Sequence, residues 1–202
     1  MIRSEVFNRD CLEAMKEFTD NQFDLAVVDP EFGIGISKSN RLVTDKGLKP
    51  KDWDNKPITM EYFDDLFRVS KNQIIWGGNY YSLPPTKHCI IWDKKQPEKL
   101  SFGMFDFAWT SFEGSNKIFR KSVQEEKDKI HPTQKPIALY DWIFKNYATE
   151  GMKILDTHLG SQSSRISAYK YKMDFTGYEL DKDYFDQGCK RFEDFKSQLT
   201  LF

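Results

Sequence analysis

The segment Asp29-Pro30-Glu31-Phe32 has the clearest chemical content in the chain, and it follows the apolar run 25–28. An apolar run that ends in an acid and a proline is typical of a buried parallel strand at its carboxyl end. In open α/β sheets, ligands bind at that edge. The Asp29 carboxylate and the Pro30 carbonyl are hydrogen-bond acceptors, and Phe32 offers an aromatic face. The segment therefore predicts a ligand site at the end of this strand.

A second group of residues lies near the C-terminus, where the apolar run 153–156 ends in Asp156 and is followed by His158, Gly160 and Ser161. A small-residue turn before a helix brings backbone close to a ligand and directs helix N–H groups at an anionic part of it. Glu179 ends the next predicted strand, at about the spacing from Asp156 at which an acid binds a ribose hydroxyl. A glycine turn of this kind also occurs for packing alone, so both interpretations stay open.

Strand-like runs alternate with amphipathic ones along the chain, which is the βαβ pattern of an α/β fold. Apolar spacing predicts helices over residues 11–18, 60–71, 137–147, 163–171 and 183–199. It predicts strands over residues 24–29, 73–76, 88–92, 153–156 and 175–179. Residues 105–112 and 117–120 are expected to form an antiparallel hairpin.

Composition sets broad limits. The chain has 202 residues, which fits one domain over 1–202, and its net charge of -1 means that any nucleic-acid-binding surface must be local. The three isolated cysteines suit a reducing cytoplasm without disulfides, and the scattered histidines predict no metal site. No apolar run approaches the roughly 20 residues that cross a bilayer, and the N-terminus is unlike a signal peptide.

The hexapeptide His131-Pro132-Thr133-Gln134-Lys135-Pro136 completes a set of motifs. Together with Asp29–Phe32 and Asp156–Gln162, it resembles the β-class amino-methyltransferases, which modify the exocyclic amine of adenine or cytosine in DNA. The family carries Asp-Pro-Pro-Tyr/Phe, the same hexapeptide, and a loop Asp-Pro-Phe-x-Gly-Ser-Gly. The resemblance implies a Rossmann-like methyltransferase fold with a mostly parallel twisted sheet, an antiparallel hairpin and a circularly permuted motif order.

The resemblance also implies roles for individual residues. Asp29 and Pro30 would hold the target amine, with Glu31 beside them, and Phe32 would stack on a base flipped out of double-stranded DNA. S-adenosylmethionine would lie against Asp156, His158, Gly160 and Ser161, with Thr133 and Lys135 at its carboxylate, Glu179 at its ribose, and Asp10 and Cys11 at its adenine. Segments 37–57 and 113–130 are candidate mobile loops that contact nucleic acid, and Lys38, Arg41, Lys46 and Lys49 are candidate phosphate ligands.

Two residues depart from the family pattern. Glu31 stands where the second proline is found, and its carboxylate is expected to repel the phosphate backbone and to tilt the turn that carries Phe32. Gln162 replaces the last glycine of the loop and is expected to put a side chain where the cofactor approaches. Adenine N6 is favoured over cytosine N4 because an Asp leads the motif. The alternative is an inactive pseudo-methyltransferase that binds nucleic acid or a partner subunit; a homodimer also stays open. The resemblance places the protein in the cytoplasm of a prokaryote or in a phage-infected cell.

Overall fold

The computed structural model describes residues 2–34, 58–99, 103–125 and 129–199. Within them the elements follow in the order β1 (Ser4–Phe7), α1 (Cys11–Met15), β2 (Leu25–Val28), α2 (Met60–Val69), β3 (Gln73–Trp76), β4 (Cys89–Asp93), β5 (Phe105–Thr110), β6 (Lys117–Arg120), α3 (Ile137–Tyr147), β7 (Lys153–Asp156), α4 (Ser163–Lys170), β8 (Asp174–Tyr178) and α5 (Lys182–Leu199). Short 3-10 turns occupy Gly78–Tyr80 and Val123–Glu125.

The strands form one eight-stranded sheet in the order β1-β8-β7-β2-β3-β5-β4-β6. Neighbouring strands are parallel except at β5, which runs antiparallel to both β3 and β4. The carboxyl ends of β1, β2, β3, β7 and β8 therefore meet at one edge, together with the end of β4 and the start of β5. The predicted α/β fold with a mostly parallel sheet and an antiparallel pair is confirmed.

The prediction that residues 105–112 and 117–120 pair with each other in a hairpin is wrong. β4 lies between the two strands and pairs antiparallel with β5 and parallel with β6. The turn after β5 explains the rearrangement, because Asn116 Oδ1 accepts a hydrogen bond from the Cys89 backbone N–H at 3.0 Å. That bond fixes the start of β6 to β4 instead of to β5.

The core lies on both faces of the sheet. Leu25 and Val27 of β2 pack toward α3 and α4, whereas Ala26 and Val28 pack toward α1 and α2. All four residues are buried, which is why this strand is a continuous apolar run. Burial of apolar side chains on each face stabilises the sheet by about 25 cal/mol per Å² removed from water.

Helix α1 ends three residues earlier than its apolar spacing predicts. Arg68 of α2 donates hydrogen bonds to the carbonyls of Met15 and Phe18, both at 2.7 Å. These bonds add a partner for each of two carbonyls at the helix end, so the chain can leave the helix at Met15. Within the described residues, no helix is both long and apolar enough to cross a membrane.

Candidate active site

A cavity of about 960 Å³ opens at the carboxyl edge of the sheet. This volume is at the upper end of the roughly 300–1,000 Å³ typical of ligand sites, so it has room for more than a single small ligand. The predicted site residues that line it are Asp10, Cys11, Asp29, Pro30, Glu31, Phe32, Thr133, Lys135, His158, Gly160, Ser161 and Glu179. The loops after β2, β7 and β8 and the segment before α3 thus converge on one space.

Among the predicted site residues that the structure describes, Asp156 alone does not line this cavity. Asp156 is buried beneath its wall, as described below. The candidate phosphate ligands Lys38, Arg41, Lys46 and Lys49, with the whole of segment 37–57, lie outside the described residues. Segment 113–130 is described except at residues 126–128. Its role in nucleic-acid contact stays a prediction.

Asp29 ends β2 in contact with a buried lysine. Lys135 Nζ donates to Asp29 Oδ2 at 2.5 Å and lies 5.2 Å from the centre of the Trp76 ring. Asp29 Oδ1 is buried, and no described residue forms a hydrogen bond with it. Burial raises the pKa of the Asp29 carboxyl above its ordinary value, even though the Lys135 ammonium opposes this rise. The family resemblance placed Lys135 at a cofactor carboxylate, whereas the structure places it at Asp29.

The turn after Asp29 is held by aromatic and backbone contacts. Tyr81 Oη donates to the Pro30 carbonyl at 3.0 Å and also contacts the Glu31 carbonyl at 3.2 Å. Phe32 stacks on Tyr80, with ring centres 4.8 Å apart and planes 15° apart. The Phe32 ring also covers Gly77, where a Cβ atom would lie 2.1 Å from a ring carbon. Gly77 has φ +70, so glycine is required there for both space and backbone conformation.

Glu31 contacts His158, which lies in the loop after β7. Its Oε2 lies 3.1 Å from His158 Nε2, and both side chains are more than three-quarters buried. Burial lowers the affinity of the ring for a proton, but the Glu31 carboxylate outweighs this effect and the pKa of His158 rises to about 9. Burial would likewise raise the pKa of Glu31, but His158 lowers it below its ordinary value. Glu31 is therefore paired with a histidine, whereas the expected repulsion of phosphate and the tilt of the turn stay predictions.

Asp156 organises the loop after β7 from below. Its carboxylate accepts hydrogen bonds from the His158 backbone N–H at 3.0 Å and from Ser164 Oγ at 2.5 Å. Burial raises the pKa of Asp156 to about 6 despite these bonds. Asp156 therefore fixes the loop to the first turn of α4 and shapes the cavity wall without lining it.

Glu179, at the end of β8, is bound to the same loop. Its two carboxylate oxygens accept from the backbone N–H groups of Gly160 at 2.8 Å and Asp181 at 2.9 Å. Gly160 adopts a left-handed conformation with φ +46. Each carboxylate oxygen keeps a further lone pair, so Glu179 can still accept from a ligand hydroxyl in the cavity.

Gln162 does not obstruct the cavity, which makes the expectation from its sequence position wrong. The residue adopts a left-handed conformation, φ 58, and is fully buried. Its side chain turns toward α5, where Gly188 leaves the space: a Cβ atom at Gly188 would lie 2.6 Å from Gln162 Cγ. Gln162 Oε1 also accepts from Arg165 Nη1 at 2.9 Å. Gly188 thus provides room for the side chain that replaces a glycine.

Asp10, Cys11 and Thr133 border the cavity with local partners. Asp10 caps α1, since its Oδ1 accepts from the backbone N–H of Leu12 at 2.7 Å. Burial raises the pKa of the Cys11 thiol far above its ordinary value, so the group stays a neutral apolar contact. Thr133 Oγ1 lies 3.2 Å from His131 Nδ1.

Sequence reasoning missed a second ion pair in the cavity wall. Lys94 Nζ, at the end of β4, lies 2.6 Å from Asp106 Oδ1 at the start of β5. Asp106 Oδ2 is in turn 3.9 Å from Lys135 Nζ, so opposite charges alternate from Lys94 to Asp29. Tyr81 was missed as well. Asp106 reaches this edge because β5 pairs with β4. The predicted hairpin paired β5 with β6 instead, so Asp106 was not recognised as a site residue.

Comparisons with known proteins agree with this fold. A profile of the family described as DNA methylase (N6_N4_Mtase) matches residues 49–190. The chain belongs to that family of DNA methylases. Two curated relatives are type II methyltransferases, each 20% identical to this chain. The match to M.HpaI of Haemophilus parainfluenzae covers 91% of this chain and 72% of that protein. The match to M2.MboI of Moraxella bovis covers 94% of this chain and 87% of that protein.

Two solved structures share the fold. The M1.HpyAVI–SAM complex has a TM-score of 0.64 at 17% identity, over 95% of this chain and 98% of that one. The cytosine-N4-specific PvuII DNA methyltransferase also has a TM-score of 0.64, at 12% identity, over 98% of this chain and 93% of that one. The second structure is of an enzyme specific for cytosine, so membership of the family leaves the target base open.

Proposed function

We propose that this chain transfers a methyl group from S-adenosylmethionine to the N6 amine of adenine in double-stranded DNA, with the target base flipped into the cavity. One observation carries the proposal: Asp29 Oδ1, in the cavity wall, is buried and has no hydrogen-bond partner among the residues that the structure describes. A buried acceptor without a partner is costly unless a ligand supplies a donor. The Pro30 carbonyl beside it has a second lone pair free for the other N–H of an amine.

The cofactor end of the proposal rests on the loops after β7 and β8. Glu179 offers carboxylate lone pairs to ribose hydroxyls, and the left-handed Gly160 keeps the loop backbone close to the cavity. Thr133 and Ser161 add hydroxyl groups to the same wall. Asp10 and Cys11 lie where an adenine ring would complete the site. S-adenosylmethionine, bound here, supplies an electrophilic methyl group.

At the other end, the residues act by orientation and polarity. The Asp29 carboxylate and the Pro30 carbonyl accept hydrogen bonds from the amine N–H groups, which draws electron density onto the nitrogen and fixes the direction of its lone pair. Lys135 holds one oxygen of Asp29, so that the carboxylate has a single orientation. The Phe32 ring, supported by Tyr80, offers a stacking surface worth about 1–3 kcal/mol per base.

Both departures that suggested an inactive homologue are accommodated, and this supports catalysis over the pseudo-methyltransferase alternative. Glu31 is paired with His158, and Gln162 is directed toward Gly188. Adenine is proposed over cytosine because an Asp leads the motif. DNA contact by Lys38, Arg41, Lys46 and Lys49 belongs to the same proposal, as does a cytoplasmic location. The assembly state, monomer or dimer, stays a prediction.

Two alanine variants of acids on β2 test the proposal. Asp29→Ala removes the amine acceptor, and we expect methyl transfer to fall by at least about 10²-fold while S-adenosylmethionine still raises the melting temperature. Asp24→Ala is the matched control, because Asp24 precedes the same strand at the opposite edge and also pairs with a lysine, Lys71, at 2.7 Å. Wild-type turnover in Asp29→Ala, measured where both proteins are folded, would contradict the proposal.

A further inference from the structure

We infer that Glu31 and His158 form one positioning unit, which fixes the turn that holds the target amine to the loop that faces the cofactor. The inference rests on the proposed function and adds two residues to it. Neither residue is assigned to the chemistry itself. Their proposed task is to set the distance and angle between the two halves of the cavity.

The geometry places the pair between the two halves. Glu31 follows β2 and His158 follows β7, and these strands are neighbours in the sheet. The 3.1 Å contact between Glu31 Oε2 and His158 Nε2 bridges the gap where the loops diverge. Both residues line the cavity, two positions beyond Asp29 and two before Gly160. A movement of either side chain would therefore move the backbone of a ligand-facing segment.

The ring is also held from its other side. His158 Nδ1 lies 2.9 Å from Thr157 Oγ1, which lies 2.5 Å from Tyr62 Oη on α2. A doubly protonated ring donates through both nitrogens, to Glu31 and to Thr157. The ring edge additionally contacts Tyr62, with ring centres 5.5 Å apart. Helix α2, the β7 loop and the β2 turn are thereby joined through one imidazolium.

The two residues compensate for each other. Glu31 occupies the position of a proline that would restrict the turn by its fixed φ, and a glutamate has no such restriction. The ion pair supplies a restraint of a different kind. His158 stands where the loop pattern has phenylalanine, which could not pair with a carboxylate. Either change alone would leave a buried polar group without a partner, whereas both together leave neither.

The charges around the ring favour its protonated form. Acids face His158 from each segment that packs against it: Glu31 and Asp29 from the β2 turn, Asp156 from its own loop, and Glu179 from the end of β8. On the remaining side α2 presents the Tyr62 hydroxyl, which stays neutral because burial raises its pKa well above the ordinary value. The unit is expected to stay intact at neutral pH and to open when His158 loses its proton.

A double-mutant cycle tests the unit with the residues that the family pattern has at these positions. The four proteins are wild type, Glu31→Pro, His158→Phe and the double variant. We expect each single variant to lower kcat for methyl transfer at least about tenfold, and the double variant to return to within about threefold of wild type. Losses that simply multiply in the double variant would overturn the inference.

A pH profile separates positioning from a general structural role. We expect kcat of wild type to fall as pH rises through about 9, and both His158→Phe proteins to lack that decline. His88→Phe is the matched control. His88 is a buried histidine outside the cavity, and its Nε2 lies 2.8 Å from Tyr147 Oη. It should keep the alkaline decline. The same decline in His158→Phe would also overturn the inference.

Failure of the proposed function can be distinguished from failure of the positioning unit. Absence of methyl transfer to any DNA by wild type would contradict the function itself. The four proteins would then be titrated with S-adenosylmethionine by calorimetry. If the double variant changes Kd by less than the product of the two single changes, the result supports the positioning unit. If the two single changes in Kd simply multiply, the result overturns it.

Discussion

Lys135 Nζ lies 2.5 Å from Asp29 Oδ2 and joins the turn after β2 to the segment before α3. Only 4% of the Lys135 side chain is exposed, so this is a buried ion pair. Such a pair fixes geometry well, and removal of one partner leaves the other charge buried and unpaired. In this site the consequence is specific, because the contact selects which oxygen of Asp29 is left to bind a ligand.

Lys135→Met is expected to lower kcat by about 10²–10³-fold, since it frees the acceptor and removes a charge that keeps Asp29 ionised. Without the ammonium, burial is opposed only by the charge of His158, and the pKa of Asp29 rises further. The acid limb of the kcat profile should therefore move to higher pH. Initial rates across pH 5 to 9 check both expectations.

Lys170→Met is the control for that experiment, because Lys170 forms an ion pair with Asp141 between α3 and α4, outside the cavity. It should leave the profile unchanged. If Lys135→Met instead raises the KM for S-adenosylmethionine with kcat intact, then Lys135 binds the cofactor carboxylate, as the family resemblance alone implied.

Glu179→Ala is expected to reduce the rise in melting temperature that S-adenosylmethionine produces. The variant loses an acceptor for the ribose and also the bond to the Gly160 N–H. A tenfold weaker Kd removes about 1.4 kcal/mol of ligand stabilisation at saturating concentrations. Differential scanning fluorimetry at several ligand concentrations gives the comparison. Glu193→Ala, at an exposed ion pair with Lys196 on α5, should retain the full shift.

The stability of the fold should depend on pH through His158. Its pKa rises from the ordinary 6.5 of an unfolded chain to about 9 in the folded protein, so the folded state binds the proton more tightly. The resulting stabilisation is complete below pH 6.5 and is lost as pH rises through 9. The difference in unfolding free energy between wild type and His158→Phe should shrink over that interval. A difference that stays constant from pH 6 to 9.5 in urea titrations would contradict the charged pair.

The effect of Gly188→Ala on the stability of the fold should change sign with the residue at position 162. In wild type the added methyl would lie 2.6 Å from Gln162 Cγ, so we expect the variant to destabilise the fold. In a Gln162→Gly background the space is empty, and the same substitution should stabilise by up to about 1 kcal/mol through helix propensity. Thermal denaturation of the four proteins measures both effects. Destabilisation of equal size in both backgrounds would rule out the proposed fit.

Sequence reasoning predicted which segments meet at this cavity because the signals were local. The apolar run before Asp29, the turn at Gly160 and the acid at Glu179 each mark a strand end, and parallel strands bring such ends together. Side-chain partners across the site were not predictable in this way. Lys135 and Asp29, Glu31 and His158, and Gln162 and Gly188 are far apart in sequence, and neither member of a pair specifies the other.

The antiparallel pair shows the same limit at the level of the fold. Residues 105–112 and 117–120 are separated by a turn-forming sequence, which predicts a hairpin by proximity. The actual partner of β5 is β4, and the hydrogen bond from Cys89 to Asn116 that favours this arrangement is not visible in a periodicity. The wrong pairing also concealed Asp106, which reaches the cavity only because β5 starts at the edge where β4 ends.

Nucleoside analysis after methyl transfer tests the central claim most directly. The protein would be incubated with S-adenosylmethionine carrying a tritiated methyl group and with unmethylated double-stranded DNA of mixed sequence, and the digested nucleosides separated. We predict label in N6-methyl-2′-deoxyadenosine for wild type and none for Asp29→Ala. Label in N4-methyl-2′-deoxycytidine would contradict the choice of adenine, and unlabelled DNA with wild type would contradict the assignment of this cavity as a methyltransferase active site.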